Sequence, residues 1–385
     1  MINLEKKLME FSLKLIDEKK AKIIVPVTPE TGYWFGGGNM IEDKEGNLYI
    51  SGRYRNSGDS RTGLDLGDRG AELAIFKSSD KGNTWTKIKS ILKKELPRGV
   101  LSIEGTALRF NKDNEVELYI SSEKSENKYP DHLKEYLKPG TGVWDIDVIV
   151  ADKIENLSAY NVKELIKGED SRFIHLKDPF VYDSYNGEKY LMFCTHPYNW
   201  TSSNTGYMLR RGEKLNFEAP VFYFFEKGHT WDIAMTRGTC VVDMPQIGVL
   251  KNKRISLFFY DGGECVRNLD EHEKAVKRPR GYSCEELGGV AYIENGSFSH
   301  IERISKELPL FVSPYGTGCS RYVDVLRTKD GMYATWQQSQ DNKSQPLVMN
   351  FLSNDEIEDI LIIIIIYYGE YYEKSFINCN IYFYI

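Results

Sequence analysis

The feature that most constrains this chain is an octet, Ser78-Ser79-Asp80-Lys81-Gly82-Asn83-Thr84-Trp85, set between two extended-looking runs at 73–77 and 86–88. It reads S-x-D-x-G-x-T-W. An aspartate that folds back onto the following backbone, a glycine free to take positive φ, and a Thr-Trp pair opening the next run are what a tight hairpin turn requires. Trp85 then buries a large ring against the neighbouring turn. At this point the chain is committed to antiparallel strands.

The rest of the sequence repeats the theme. From Tyr33 onward a small or polar cluster leads into an apolar strand, a turn with Gly or Asn, a second strand, a long polar loop and a third strand. Units open at Gly36, at Ile103-Glu104-Gly105-Thr106, at Lys177-Asp178-Pro179-Phe180, at Met235-Thr236-Arg237-Gly238 and at Gly318-Cys319-Ser320-Arg321. These starts lie roughly 60–80 residues apart, which predicts an all-β, five-bladed β-propeller. Six blades is the alternative if residues 260–284 hold further strands. The fifth unit offers only three strands, and residues 22–27 are expected to supply its fourth and close the ring, leaving no open edge.

Three regions follow from this reading. Residues 1–22 form a short N-terminal helix, since Leu4, Leu8, Phe11 and Leu15 fall near helical spacing. Residues 23–358 form a single propeller domain. Residues 359–385 switch abruptly to Ile, Tyr, Asn and Lys, with five consecutive Ile at 362–366. That run is too short to span a membrane. It reads as out-of-frame translation of an AT-rich gene, or else as an aggregation-prone β segment, and it is excluded from the fold.

Composition narrows the partners. The aromatic fraction is 13%, with 25 Tyr, which suits sheets and also a sugar-binding cleft. The formal charge is -6 and no long basic run occurs, so nucleic acid is not an expected partner. Residues 1–22 lack a secretory apolar core, so a cytoplasmic location is expected, with no membrane association. The Cys residues are scattered without a C-x-x-C, and no His shows metal-ligand spacing. No cofactor, metal or disulfide framework is indicated, and oligomeric state is not legible.

Strand direction alternates within a four-stranded blade. The starts of the first strands therefore share a face with the loops joining second and third strands, and the octet lies on the opposite face. The first-strand starts place Asn39, Glu104, Asp178, Arg237 and Arg321 at the mouth of the channel. The loops add Arg53, Arg55, Asp59, Asp68, Trp144, His196, Trp200 and Gln337. Glu285 and Glu286 are adjacent, so in a strand only one can face the mouth; Glu285 is preferred. Such a face suits glycoside hydrolysis, in which one carboxylic acid protonates the leaving oxygen and a second carboxylate acts as nucleophile or base. Glu104, Asp178 and Glu285 are the candidate catalytic groups. Arg53, Arg55, Asp68, Trp144, His196, Arg237, Arg321 and Gln337 are the candidate substrate contacts.

Each has a plainer alternative. Glu104 could be a buried strand carboxylate, and Asp178 a turn residue before Pro179. The arginines from 53 to 69 could be solvated surface charges, and Trp144 core. Arg237 and Arg321 are costly near an axis without partners, so carboxylates of the protein or of a substrate are expected beside them.

The octet resembles the Asp box of sialidases and related β-propeller glycoside hydrolases, where it is structural and remote from the catalytic funnel. Residues 36–88 resemble the first blade of that family, which implies an acid/base near Asp59 or Asp68 and carboxylate-binding roles for Arg237 and Arg321. The first strand carries Gly36-Gly37-Gly38-Asn39 where that family has Arg-Ile-Pro. Lys177-Asp178-Pro179-Phe180 is similar to the R-D-P signature of five-bladed furanosidase-type propellers. That resemblance implies that Asp178 stabilises the transition state or tunes the acid, with Glu104, before Gly105, as the acid. The combined expectation is an exo-acting glycoside hydrolase removing a terminal sugar from a small oligosaccharide. The alternatives are a non-catalytic carbohydrate-binding propeller and a uronate lyase using His132 or His196.

Overall fold

The computed structural model describes residues 4–57, 68–137, 140–197, 202–263 and 286–362. Its strands form five sheets, each a blade of a five-bladed propeller. Blade one holds β2 (Trp34–Gly36), β3 (Met40–Glu42), β4 (Leu48–Asn56), β5 (Asp68–Ser78) and β6 (Thr86–Leu92); β2 and β3 both pair with β4 and form one interrupted inner strand. Blade two holds β7 (Val100–Phe110), β8 (Val116–Lys124), β9 (Val143–Ala151) and β10 (Lys163–Ile166). Blade three holds β11 (Phe173–Asp183), β12 (Lys189–Pro197), β13 (Asn204–Arg210) and β14 (Val221–Phe225). Blade four holds β15 (Met235–Asp243), β16 (Ile255–Gly263), β17 (Leu287–Glu294) and β18 (Ile301–Arg303).

Blade five joins the ends of the chain. Its inner strands are β19 (Ser320–Arg327), β20 (Gly331–Gln338) and β21 (Leu347–Ser353), and β1 (Lys22–Val25) pairs antiparallel with β21. The early strand thus closes the last blade, as the three-strand fifth unit predicts.

Apolar clusters fill the gaps between blades. Ile75, Leu73, Ile103, Leu118 and Ile120 join blades one and two, and Phe35, Ile50, Phe76, Tyr333 and Leu347 join blades one and five. Between blades four and five the core extends outward to α1 (Leu4–Leu15) and α2 (Asn354–Leu361). Leu8, Phe11 and Leu15 lie on one face of α1 and are fully buried there. Ser353 caps α2 by accepting from the Glu356 amide, while Glu356 reaches back to the Ser353 amide. Ile357 and Leu361, one turn apart, are buried, so the packed helix runs past Asp359 to Leu361. No helix among the described residues is long and apolar enough to cross a membrane.

Polar latches join the inner strands near the axis. The Asn39 amide donates to Leu108 O at 2.9 Å and accepts from Leu108 N at 2.7 Å. Asn39, expected at the mouth, therefore serves as a backbone mimic between blades one and two. Asp324 accepts from Met40 N at 2.7 Å and joins blade five to blade one.

Candidate active site

The inner strands reach the mouth irregularly. Pairing register breaks at Ile103/Thr106 in β7, at Ile174/Lys177 and Lys177/Phe180 in β11, at Gly238/Cys240 in β15 and at Arg321/Asp324 in β19. An extra residue in one strand re-aims the side chains around it. Three non-glycine residues at these breaks take left-handed backbone angles, His175 at φ 64°, Asp178 at φ 49° and Tyr322 at φ 56°. Asp tolerates this region, and the following Pro179 disfavours the ordinary helical alternative. Gly105 completes the approach, because a Cβ there would lie 2.4 Å from Asp178 Cα. Glycine after Glu104 therefore lets β7 lie directly against Asp178.

The side chains so delivered form one charged floor. Arg53 donates to Gly36 O at 3.0 Å, and its Nη2 donates to Glu104 Oε2 and to the Tyr322 hydroxyl, both at 3.3 Å. Arg69 and Lys177 lie 3.6 Å and 3.9 Å from Glu104. The Tyr322 hydroxyl donates to Asp178 Oδ1 at 3.4 Å. Arg237 lies 3.5 Å from Asp178, 2.9 Å from Asp261 and 3.4 Å from Glu286. Arg321 pairs with Glu286 at 2.7 Å. Gln337, with its amide oxygen toward Arg321, accepts from Nη2 at 2.9 Å and Nε at 3.3 Å. The guanidiniums of Arg53, Arg237 and Arg321 all lie within 5.3 Å of the Tyr322 ring centre. A cavity of about 20 Å³ beside the floor is lined by residues that include Gly37, Thr106, Asp178, Gly238 and Tyr322.

Electrostatics separate these acids. Burial pushes Glu104 up, but Lys177, Arg53 and Arg69 outweigh it and hold the carboxyl well below its ordinary range. Burial likewise opposes the ionisation of Glu286, yet Arg321 and Arg237 bring it down to about 2. Asp261 goes the other way: its burial outweighs Arg237 and raises it to about 6. Glu123, also raised by burial, accepts from Gly142 N at 2.7 Å and lies 2.6 Å from Arg69. Burial raises the Tyr322 phenol, which stays protonated.

Six sequence candidates meet in this floor: Glu104, Asp178, Arg53, Arg237, Arg321 and Gln337. Glu285, Asp59 and Trp200 lie outside the described residues. Glu286, the neighbour of Glu285, reaches Arg237 and Arg321. Trp144, expected as a substrate contact, is buried against His175, with the Arg69 and Lys177 cations over its ring. Its ring supports cations and offers no open face. His196 is buried, with Nδ1 2.9 Å from Ser202 O, and Arg55 is buried in β4 opposite Arg69. Asp68 is half-exposed and lies 3.9 Å from Lys93, away from the floor. Arg53 and Arg69 are not solvated surface charges; they are the cations around Glu104.

Sequence reasoning missed Asp261 and passed over Glu286 and Tyr322. Asp261 follows the apolar run 255–260 and precedes Gly262-Gly263, a strand-end signal that marks it in retrospect. Tyr322 stands next to a residue already chosen for the mouth, and strand alternation argues against taking both. Among the described residues no group of His, Cys, Asp and Glu is placed to hold a metal ion.

No family model and no curated protein matches the chain. Solved structures do. A GH43_1 enzyme from Xanthomonas citri, complexed with xylotriose, is 10% identical, with a TM-score of 0.53 over 90% of this chain and 93% of that one. RS223-β-xylosidase is 12% identical, with a TM-score of 0.53 over 87% and 95%. An α-L-arabinofuranosidase from Lactobacillus brevis is 11% identical, with a TM-score of 0.54 over 86% and 92%. At this identity the likeness is one of fold, and it extends over nearly the whole propeller.

Proposed function

We propose that the chain is a glycoside hydrolase that removes a terminal sugar from a small oligosaccharide, with Glu104 and Asp178 as its working carboxylates. The observation that carries this reading is the meeting of those two residues at the mouth, with Gly105 against the Asp178 backbone and Arg53 and Tyr322 linking their side chains. Glu104, kept anionic by three cations, suits the base or nucleophile and the stabilisation of a positively charged, oxocarbenium-like transition state. Asp178 completes the carboxylate pair, with the Tyr322 hydroxyl donating to Oδ1 and Arg237 facing Oδ2. The solved structures named above include enzymes described as xylosidase and arabinofuranosidase, one of them holding xylotriose, which favours pentose-containing substrates.

One feature weighs against an acidic sugar. Arg237 and Arg321, which the sialidase resemblance would give to a substrate carboxylate, already face Asp178, Asp261 and Glu286. The turn at Asp80 supports the Asp-box resemblance as a matter of fold only. The test is a screen of the full chain against nitrophenyl xylosides, arabinofuranosides and sialosides, repeated with Glu104→Gln and Asp178→Asn. Pentoside turnover lost in both variants is the expected result. Turnover untouched by both would remove the site assignment. Binding of a sugar without turnover would favour a carbohydrate-binding propeller.

A further inference from the structure

Regular strand geometry makes one feature of the floor anomalous. Adjacent residues in a strand point to opposite faces. Arg321 and Tyr322 are adjacent in β19, yet both reach the floor, with the Arg321 guanidinium 5.0 Å from the Tyr322 ring centre. The backbone at Tyr322 resolves the conflict by turning into the left-handed region at φ 56°. For a bulky residue this conformation is strained and needs support from the surroundings. The support is not in the ladder. Register between β19 and β20 breaks from Arg321 to Asp324, so Tyr322 has no partner residue in β20.

Asp261 takes that place. It lies two residues before the end of the second strand of blade four and is fully buried. Its two carboxylate oxygens lie 3.0 and 3.2 Å from the Tyr322 amide nitrogen. Oδ2 also accepts from Arg237 Nη2 at 2.9 Å and Nε at 3.2 Å. Hydrogen bonds to an ionised acceptor are shorter and about twice as strong as neutral ones. Arg237 in turn sits 4.5 Å over the Tyr322 ring and 3.5 Å from Asp178. One buried carboxylate thus fixes both groups that touch Asp178, the phenol through its backbone and the guanidinium directly.

We infer that Asp261 is a positioning residue: it holds Tyr322 in the left-handed conformation and Arg237 in register, and so keeps the Tyr322 hydroxyl on Asp178. This inference rests on the reading of the floor as a catalytic centre only for its kinetic consequence. The geometric half stands separately.

The experiment is a cycle of Asp261→Ala, Asp261→Asn, Tyr322→Phe and the Asp261→Asn/Tyr322→Phe double variant, with structures and kinetics on the substrate found in the screen. In Asp261→Ala, Tyr322 is expected to leave positive φ and its hydroxyl to move out of hydrogen-bond reach of Asp178. The kcat should fall by about 10²-fold, the typical cost of misplacing a catalytic group by an ångström or so, while KM changes little. Asp261→Asn keeps one carbonyl acceptor for the Tyr322 amide and should recover part of the loss. In the Tyr322→Phe background, Asp261→Asn should cost much less than it does alone, because the two act through one contact. Retention of positive φ and of the Asp178 contact in Asp261→Ala would overturn the inference, as would additive losses in the double variant. If Asp261→Ala does not fold, the Tyr322 amide resonance in Asp261→Asn decides: it should move upfield when its carboxylate acceptor is removed, and an unmoved resonance overturns the inference. If the wild-type chain turns over nothing, the catalytic reading fails, and the Tyr322 geometry in the variants still answers for Asp261.

Discussion

The turn at Asp80 and the floor around Tyr322 occupy opposite faces of the propeller and are built by opposite means. At the turn the partners of the Asp80 and Trp85 side chains are within a few residues. Asp80 Oδ1 accepts from Ser78 Oγ at 2.7 Å and Thr84 N at 2.9 Å, Oδ2 accepts from Thr84 Oγ1 at 2.6 Å, and Trp85 Nε1 donates to Gly82 O at 3.1 Å. The side chain and amide of Thr84, with Ser78, hold the Asp80 carboxyl at about 2 although it is exposed. At the floor most partners are far apart in the chain. Arg53, Glu104, Asp178, Asp261, Glu286 and Tyr322 come from all five blades, and all but the partly exposed Glu104 are buried. A local hydrogen-bond set can be satisfied in solvent. A set of buried charges must be satisfied by the whole ring or not at all.

Perturbing the two regions should therefore give different kinds of damage. The largest effect is expected at the floor, in catalysis: Glu104→Gln and Asp178→Asn should each lower kcat by about 10²–10⁴-fold, with circular dichroism unchanged. A loss confined to one of them would break the pairing of the two carboxylates. Next comes Arg237→Met, which leaves Asp178, Asp261 and Glu286 without their shared cation. Removing one partner from a buried ion cluster costs about 3–5 kcal/mol, to be read from urea unfolding. A cost below about 1 kcal/mol would show that the floor is looser than its geometry.

The pH dependence of stability should sharpen the contrast within the floor itself. Glu286 has a depressed folded value of about 2 against 4.5, so its contribution is present above pH 4.5 and is lost as pH falls through about 2. Asp261 has a raised folded value of about 6 against 3.8, so the folded state binds the extra proton. Its contribution is present below pH 3.8 and is lost as pH rises through about 6. Unfolding free energies measured across this range should lose the downward slope between those limits in Asp261→Asn. A slope of unchanged size would place the proton elsewhere.

The smallest effect is expected at the turn. Gly82 sits at φ 84°, and a Cβ there meets only the flexible end of Met349 at 2.8 Å. Gly82→Ala should cost about 1–2 kcal/mol through its left-handed backbone and leave kcat and KM as in the wild type. Altered kinetics would break the separation of the two faces.

The same contrast explains what was legible. The octet was readable as a hairpin because every atom it needs lies within the octet. The blade starts at Glu104, Asp178, Arg237 and Arg321 were readable because strand direction fixes which end of a strand faces which way. The closure of blade five by β1 was readable from an incomplete fifth unit. Tyr322 was not, since period-two alternation assigns it to the face opposite Arg321, and only a left-handed residue inside a register break reverses that. Trp144 and Asp68 were assigned to substrate because their loops fall on the mouth face; Trp144 instead packs under Arg69 and Lys177, and Asp68 faces Lys93.

The sequence by itself determined the blade repeat, the antiparallel hairpins and the face on which the charged residues gather, because these depend on chain direction, turn chemistry and two-residue periodicity. Only the tertiary structure decided which charge meets which: that Arg237 serves three carboxylates at once, that Glu286 is the glutamate on Arg321, and that Asp261 holds Tyr322 against Asp178. Those pairings join residues far apart in the chain, and they rest on a few ångströms of bulge and backbone reversal that leave no local pattern in a sequence.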